Sequence, residues 1–211
     1  MRYSKIWIII VLVSLINLTA IPILGVGAGH LSLISTEKTI PHFLPLVEGT
    51  VYTFGGEGNE YAPFRRVMQI VDGDHAQIYD NNGGTVIALV YQVTDQNIVM
   101  KKQIGEFYEE DMNLIPDVKD KKENGLIVLK GPLEVGHQWE TNGQTRTIVA
   151  LMEPVTVPAG TFTDTIKIEA RYPDHDMRLY EYYAVGIGLV LREFVGDDFQ
   201  VTSFLESIQS K

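Results

Sequence analysis

The sequence predicts a mainly β protein, a curved antiparallel sheet or an open barrel or sandwich, after an N-terminal signal or anchor helix. Three observations lead to this prediction. Short runs of β-branched and aromatic residues recur from Val51 onward, turn residues separate them, and no convincing amphipathic helix lies between them. Because most connections are too short for the crossover helices that parallel strands need, we expect antiparallel pairing.

The first 28 residues have the composition of an export signal. Arg2 and Lys5 precede an uncharged apolar run over residues 6–24, and Val26-Gly27-Ala28 offers the small residues that a signal peptidase recognises. We therefore predict cleavage after Ala28. The run also approaches the roughly 20 residues that span a bilayer, so an uncleaved anchor formed by residues 6–28 is the alternative. In both cases the positive residues stay cytoplasmic, and the chain beyond them is predicted to be extracytoplasmic.

Composition narrows the classes of protein that this chain could be. It contains no cysteine, which excludes a disulfide framework and a lipid attached to an N-terminal cysteine. The net charge is −10 at pH 7, and neighbouring acidic residues offset the few basic clusters. We therefore expect no nucleic-acid partner. We expect contact with a membrane only through the N-terminal segment.

Two similar octapeptides divide the β region. Pro45 to Tyr52 reads P-L-x-x-G-x-x-aromatic, and Pro132 to Trp139 reads the same. We expect Pro and Gly to shape a turn at each copy, and we predict a duplication with halves 45–130 and 131–206. The predicted order along the chain is a linker at 29–43, a β domain at 44–206 and a tail at 207–211.

The predicted strands follow the apolar and aromatic runs. Alternation is clearest from Thr165 to Tyr172, which predicts one dry and one wet face there. The segment 109–125 is rich in charge and is predicted to be a polar loop between the halves. The ten predicted strands are Arg66–Val71, Ala76–Tyr79, Thr85–Val93, Asn97–Gln103, Thr145–Met152, Val155–Val157, Phe162–Tyr172, Arg178–Tyr183, Leu189–Phe194 and Phe199–Leu205.

No stretch of the sequence carries an identifiable catalytic or cofactor motif. There is no cysteine nucleophile, no G-x-S-x-G turn and no phosphate-binding loop, so we predict neither catalytic residues nor a cofactor. The densest set of potential metal ligands is Asp174, His175 and Asp176. Their oxygens could hold calcium, but the spacing matches no EF-hand or zinc motif, and a solvent-exposed turn explains them as well.

Aromatic residues are the remaining candidates for a binding site. Alternation places Tyr180 and Tyr182 on one face of a predicted strand. They could line a pocket for an apolar or sugar ligand. Packing between neighbouring strands is the alternative role.

Three motifs resemble those of exported bacterial β-rich proteins of unknown function. They are the PLxxG openings above, VPAGTF at residues 157–162, and YYA-x-G-x-G-L-V at residues 182–190. The resemblance implies a curved antiparallel sheet similar to envelope domains that include half-barrel lipoprotein carriers of an acyl chain. It implies no catalytic residues.

The functional expectation is therefore broad. We expect an exported, non-catalytic, envelope-associated β domain with a binding or structural role and an envelope protein as its partner. The first alternative is a carrier or sensor of a small apolar molecule, and the second is a hydrolase whose site the sequence does not reveal.

Overall fold

The computed structural model describes residues 38–109, 111–121, 125–173 and 175–210. Within them lie a 3-10 helix (Ile40–Phe43), a one-turn helix α1 (Pro116–Lys119) and fourteen strands. The strands are β1 (Val51–Glu57), β2 (Phe64–Asp72), β3 (His75–Asn81), β4 (Val86–Val93), β5 (Asn97–Ile104), β6 (Leu126–Lys130), β7 (Gln138–Thr141), β8 (Gln144–Leu151), β9 (Val155–Val157), β10 (Gly160–Phe162), β11 (Thr165–Arg171), β12 (Arg178–Ala184), β13 (Gly188–Val195) and β14 (Gln200–Gln209).

Twelve of the strands in the described residues form one antiparallel sheet. Its order is β6-β5-β4-β3-β2-β1-β14-β13-β12-β11-β8-β7, and β9 and β10 form a separate hairpin. Each half of the chain thus contributes six neighbouring strands, joined where β1 pairs with β14. The prediction of a mainly β fold built on a curved antiparallel sheet is confirmed, and the twelve strands share one nearly closed sheet.

The sheet is nearly closed on itself by side chains of its two edge strands. The Ile127 amide of β6 donates to Thr141 Oγ1 of β7 at 2.8 Å, and the Trp139 indole donates to the Ile127 carbonyl at 2.9 Å. These bonds replace the backbone ladder that would otherwise join β6 and β7. We call this junction the seam.

The inner face of the sheet holds most of the apolar core. Ile148, Ile168 and Leu205 on this face are fully buried, as are Met68 and Ile78. In β11 the predicted dry face is confirmed, because Ile166, Ile168 and Ala170 are all buried. The opposite face of β11 is not uniformly wet, since Glu169 is also buried.

One end of the sheet is covered by the residues that precede β1. Ile40, Phe43 and Leu44 are buried there, and the Gly186 amide between β12 and β13 donates to the His42 carbonyl at 2.7 Å. The prediction that residues 29–43 form a linker is therefore wrong for 40–43, which belong to the core. The predicted tail at 207–211 is wrong for 207–209, because β14 continues to Gln209, opposite Val51.

The predicted polar loop 109–125 is partly a packing element. Leu114, Ile115 and Val118 are buried against the outer face of β3 and β4. Gln77 fixes the segment, because its Oε1 accepts from the Leu114 amide at 2.7 Å and its Nε2 donates to the Met112 carbonyl at 2.8 Å. The charged residues had concealed this short apolar stretch in the sequence.

The glycines of the two PLxxG copies adopt the same backbone conformation, although the peptide bond before Pro132 is cis and the one before Pro45 is not. Gly49 and Gly136 have φ of 81° and 90°, which glycine adopts without a Cβ penalty. The Gly49 amide donates to Met68 O and the Gly136 amide donates to Ile148 O, both at 2.8 Å. The predicted shaping of a turn by these glycines is what the structure shows at both sites.

No helix within the described residues has the length and apolar character to cross a membrane. The predicted signal or anchor over residues 1–28 lies outside the described residues.

Candidate functional site

A buried arginine occupies the same register position in each half of the sheet. Arg66 of β2 lies opposite Tyr52 of β1, and Arg146 of β8 lies opposite Trp139 of β7. Both arginines follow the alternation that places their neighbours in the core, so their side chains lie on the inner face. A charge in such a position is stable only with a partner.

Arg66 is held by a carboxylate on the adjacent strand. Asp80 of β3 is its direct cross-strand neighbour. Arg66 Nε donates to Asp80 Oδ1 at 2.7 Å and Nη2 donates to Oδ2 at 2.6 Å. This two-bond geometry is the strongest form of an arginine–carboxylate contact.

Arg146 is held differently. Its cross-strand neighbour in β11 is Ala170, and its Nη2 reaches past that strand to donate to Glu181 of β12. Nη1 donates to Gln144 Oε1 at 3.2 Å. The residue is only 1% exposed, and its Nε has no hydrogen-bond partner within the described residues. One donor of a fully buried cation is therefore unused.

Two tyrosines complete the cluster at equivalent positions. Tyr91 of β4 and Tyr183 of β12 both follow a β-bulge and lie near the arginines. Burial raises the pKa of Tyr91 to about 12, with Arg66 opposing and Asp80 adding to that effect. Burial, reinforced by Glu181, also raises the pKa of Tyr183 well above its ordinary value. Both hydroxyls are therefore protonated donors at neutral pH.

A third arginine lies at the rim of the cluster. Arg192 of β13 is the cross-strand neighbour of Glu181, but Glu181 pairs with Arg146 instead. Arg192 donates weakly to Ser203 Oγ at 3.4 Å and lies over the Phe64 ring at 5.0 Å. No carboxylate within the described residues forms an ion pair with it.

These side chains line an interior cavity of about 180 Å³. Leu179, Glu181 and Arg192 also line an adjacent cavity of about 290 Å³, which extends to Tyr61 and Ala62 in the β1–β2 connection and to Phe194. Because the 3-10 helix covers the opposite end of the sheet, the cluster faces the end that carries this second cavity. We call the cluster of Arg66, Asp80, Tyr91, Arg146, Glu181, Tyr183 and Arg192 the inner polar site.

The tyrosines singled out in the sequence lie on the outer face instead. Tyr180 donates to Glu169 at 3.0 Å and Tyr182 donates to Glu193 at 2.9 Å. The Lys167 ammonium lies 4.8 Å from the centre of each ring. The structure brings Tyr180 and Tyr182 together around this cation, separated by the sheet from the inner polar site.

The candidate metal ligands border an open groove. His175 and Asp176 line a cavity of about 690 Å³ together with Tyr180, and Asp174 lies outside the described residues. Among the residues that the structure describes, no three His, Cys, Asp or Glu side chains are grouped so that they could hold a metal ion.

The inner polar site was not predicted from the sequence. A signal did exist, because Arg66 and Arg146 each stand where alternation from Met68 or Ile148 places a core residue. A charged residue at a position where alternation places core residues is expected to be buried. The pairing of Arg146 with Glu181, 35 residues away, has no local signature.

Comparisons with known proteins locate structural neighbours at low sequence identity. No protein-family model matches the chain, and no curated protein matches it. One similar solved structure, from Bacteroides fragilis, is described as "a putative exported protein with YmcC-like fold": it is 16% identical, spans 79% of this chain and 98% of its own, and has a TM-score of 0.48. Another, from Parabacteroides distasonis, is described as "a putative lipoprotein", with 16% identity, 80% and 98% coverage, and a TM-score of 0.38.

Proposed function

We propose that this chain is an exported, non-catalytic binding domain that takes a small ligand at the inner polar site. The observation that supports it is a set of five charged side chains inside a sheet whose one end is covered and whose other end carries a cavity. Charges in a protein interior cost several kcal/mol each in desolvation, roughly, and apolar residues of the same volume are often more stabilising. A binding role gives a reason for keeping them.

A hydrolase is the less favoured alternative. General acid and base catalysis needs a carboxylate that is free to exchange a proton with a substrate. Asp80 accepts two hydrogen bonds from Arg66, and Glu181 accepts one from Arg146. Neither carboxylate in the site stands free for that task.

A carrier of an apolar molecule is also less favoured. Sites for small apolar molecules are lined predominantly by hydrophobic and aromatic side chains. The interior cavity is about 180 Å³ and contains three arginines, and the larger groove is lined by charged residues such as Arg171, Arg178 and Asp197. The resemblance to half-barrel carriers therefore concerns the predicted fold only. It does not lead us to propose an apolar ligand.

Export is proposed on the sequence of residues 1–28. The chain would lie outside the cytoplasm, released after Ala28 or held at the membrane by residues 6–28. Its association with the cell envelope, and any envelope protein as a partner, belong to the same proposal.

Native mass spectrometry of the exported chain, before and after denaturation, tests the binding role. Leu179 lines both cavities, so Leu179→Trp should fill the junction between them and remove a co-purifying mass. Tyr180→Trp is the matched control, because the next residue lies on the outer face. If both variants retain the mass equally, the ligand binds outside the inner polar site and this proposal is wrong. If the unmodified chain carries no mass, a structural role becomes the better interpretation. N-terminal sequencing of the same material locates the cleavage site.

A further inference from the structure

We infer that the ligand of the inner polar site presents a single carboxylate, and that Arg192 and Arg146 receive it. The inference rests on the proposed binding role and specifies its ligand class, a small organic monoanion. The arguments for it are the charge balance of the site, its unused donors and the shape of the two cavities.

The charge balance of the site favours one negative charge. The site contains the cations Arg66, Arg146 and Arg192 and the anions Asp80 and Glu181. Arg66 pairs with Asp80 and Arg146 pairs with Glu181. Among these five charged groups, Arg192 is therefore the one without an ion pair within the described residues. One positive charge is left over inside a chain whose net charge is −10. A single carboxylate restores neutrality, whereas the nearly doubly charged phosphate at neutral pH would leave an excess of negative charge.

The unused donors identify where the carboxylate binds. Arg146 Nε is buried and has no partner within the described residues, and Arg192 offers guanidinium N–H groups that no carboxylate there accepts. Both arginines approach Glu181, one through an ion pair and one across the β12–β13 register. A planar carboxylate matches the fork of guanidinium donors, and the charge balance favours it over phosphate. Tyr91 and Tyr183 add neutral hydroxyl donors nearby.

The second cavity indicates what the rest of the ligand is like. It has a volume of about 290 Å³, and Leu179, Phe194, Val201 and Tyr61 form much of its wall. Arg192 lies between this cavity and the interior one. A carboxylate at Arg192 would therefore direct a short, partly apolar body toward Phe194, as in an aliphatic or aromatic acid.

Calorimetric titration of the purified chain with paired probes tests the inference. The probes are propanoate and benzoate, their neutral amides, and inorganic phosphate. We expect the acids to bind and the amides to bind at least about tenfold more weakly, because the charged hydrogen bonds are lost. Arg192→Gln should weaken binding of the acids about 10- to 100-fold. Arg178→Gln, an exposed arginine of the other groove, should not change it.

Tyr91→Phe provides a second variant that keeps both arginines, and we expect it to weaken binding of the acids severalfold. The inference is wrong if the amides bind as tightly as the acids, if phosphate is preferred, or if Arg192→Gln leaves affinity unchanged. A neutral molecule that co-purifies with the chain and is lost in Leu179→Trp would overturn the carboxylate while leaving the binding role in place. If no probe binds and no molecule co-purifies, both proposals fail together.

Discussion

The two halves of the sheet share a backbone plan but differ in their charges. Arg66 and Tyr91 in strands β1–β6 have counterparts in Arg146 and Tyr183 in strands β7–β14. The acids do not correspond, because register aligns Asp80 with Ala170 and Glu181 with Leu89. The second half also has Arg192 where the first has Gln103. The two halves thus share strand register, while the inner polar site is asymmetric and has its surplus cation in the second half.

The outer faces differ as well. In the first half, Tyr79 is covered by the segment that contains Leu114 and Ile115. In the second half the corresponding position is Glu169, which forms bonds to Arg171 and Tyr180 instead of a covered apolar contact. At this position of the outer face, the first half is therefore stabilised by apolar packing and the second half by charged hydrogen bonds. The predicted duplication stays a prediction, which the shared register supports.

The largest expected effect is the loss of either buried arginine. Arg146→Met leaves Glu181 buried without its partner and should lower the free energy of unfolding by about 3–5 kcal/mol. Arg66→Met should cost about as much, because Asp80 and Glu181, the carboxylates left without a partner, are both 13% exposed. Urea denaturation measures both. The double variant Arg146→Met with Glu181→Leu should regain most of the loss. Arg65→Met, which removes an exposed arginine, should cost less than about 1 kcal/mol.

A smaller effect tests whether the two PLxxG turns are equivalent. Gly49→Ala and Gly136→Ala each place a Cβ at positive φ, which should cost about 1–2 kcal/mol. Thermal denaturation should show similar losses for the two variants. Gly105→Ala is the control, because its added Cβ meets no atom within 4 Å and its φ is not positive. Unequal losses would indicate that the turn glycine stabilises the fold in only one of the two halves.

The strand that follows each turn allows a similar comparison. Trp139→Phe removes the indole donor of the seam and should cost about 1–2 kcal/mol, with faster hydrogen exchange of the β6 amides. Tyr52→Phe is the matched change in the first half, where the hydroxyl makes no hydrogen bond within the described residues. It should have little effect. An equal loss in both variants would mean that ring packing, and not the seam bond, stabilises this position.

The smallest effect concerns the charged outer face. Burial raises the pKa of Glu169, but the hydrogen bonds from Arg171 and Tyr180 outweigh it and the pKa lies below its usual value. Its stabilising contribution is thus complete above the unfolded-state pKa and is lost as the pH falls through the folded-state pKa. Glu169→Gln should cost about 1 kcal/mol at pH 7, and the difference from the unmodified chain should shrink toward pH 3. A difference that is independent of pH would exclude the ionised form as its cause.

Much of the fold could be predicted from local sequence. Alternation and turn residues located β3, β5, β8, β9 and β12 to within a few residues, and Gly49 and Gly136 marked the start of each half. The predicted run 162–172 merged two elements, because Thr163 and Asp164 between β10 and β11 carry no strong turn signal. Residues 114–118 were hidden among charges.

The site could not be predicted in the same way. Which face of a strand becomes the inner one depends on how twelve strands curve around each other, and no single strand encodes that. Tyr180 and Tyr182 stood out by composition but lie on the outer face. In the sequence, Arg192 resembles an ordinary surface arginine. Only the structure shows that its cross-strand neighbour Glu181 pairs with Arg146 instead.

The seam also gives the molecule a route to self-association. An exposed strand edge recruits other strands, and natural proteins keep such edges short or covered. Here β6 and β7 shield each other through Trp139 and Thr141. A molecule that loses those two contacts would present two free edges at once, and two such molecules could each complete the other's sheet. The pair of side chains would then be what separates a single closed chain from a strand-exchanged dimer.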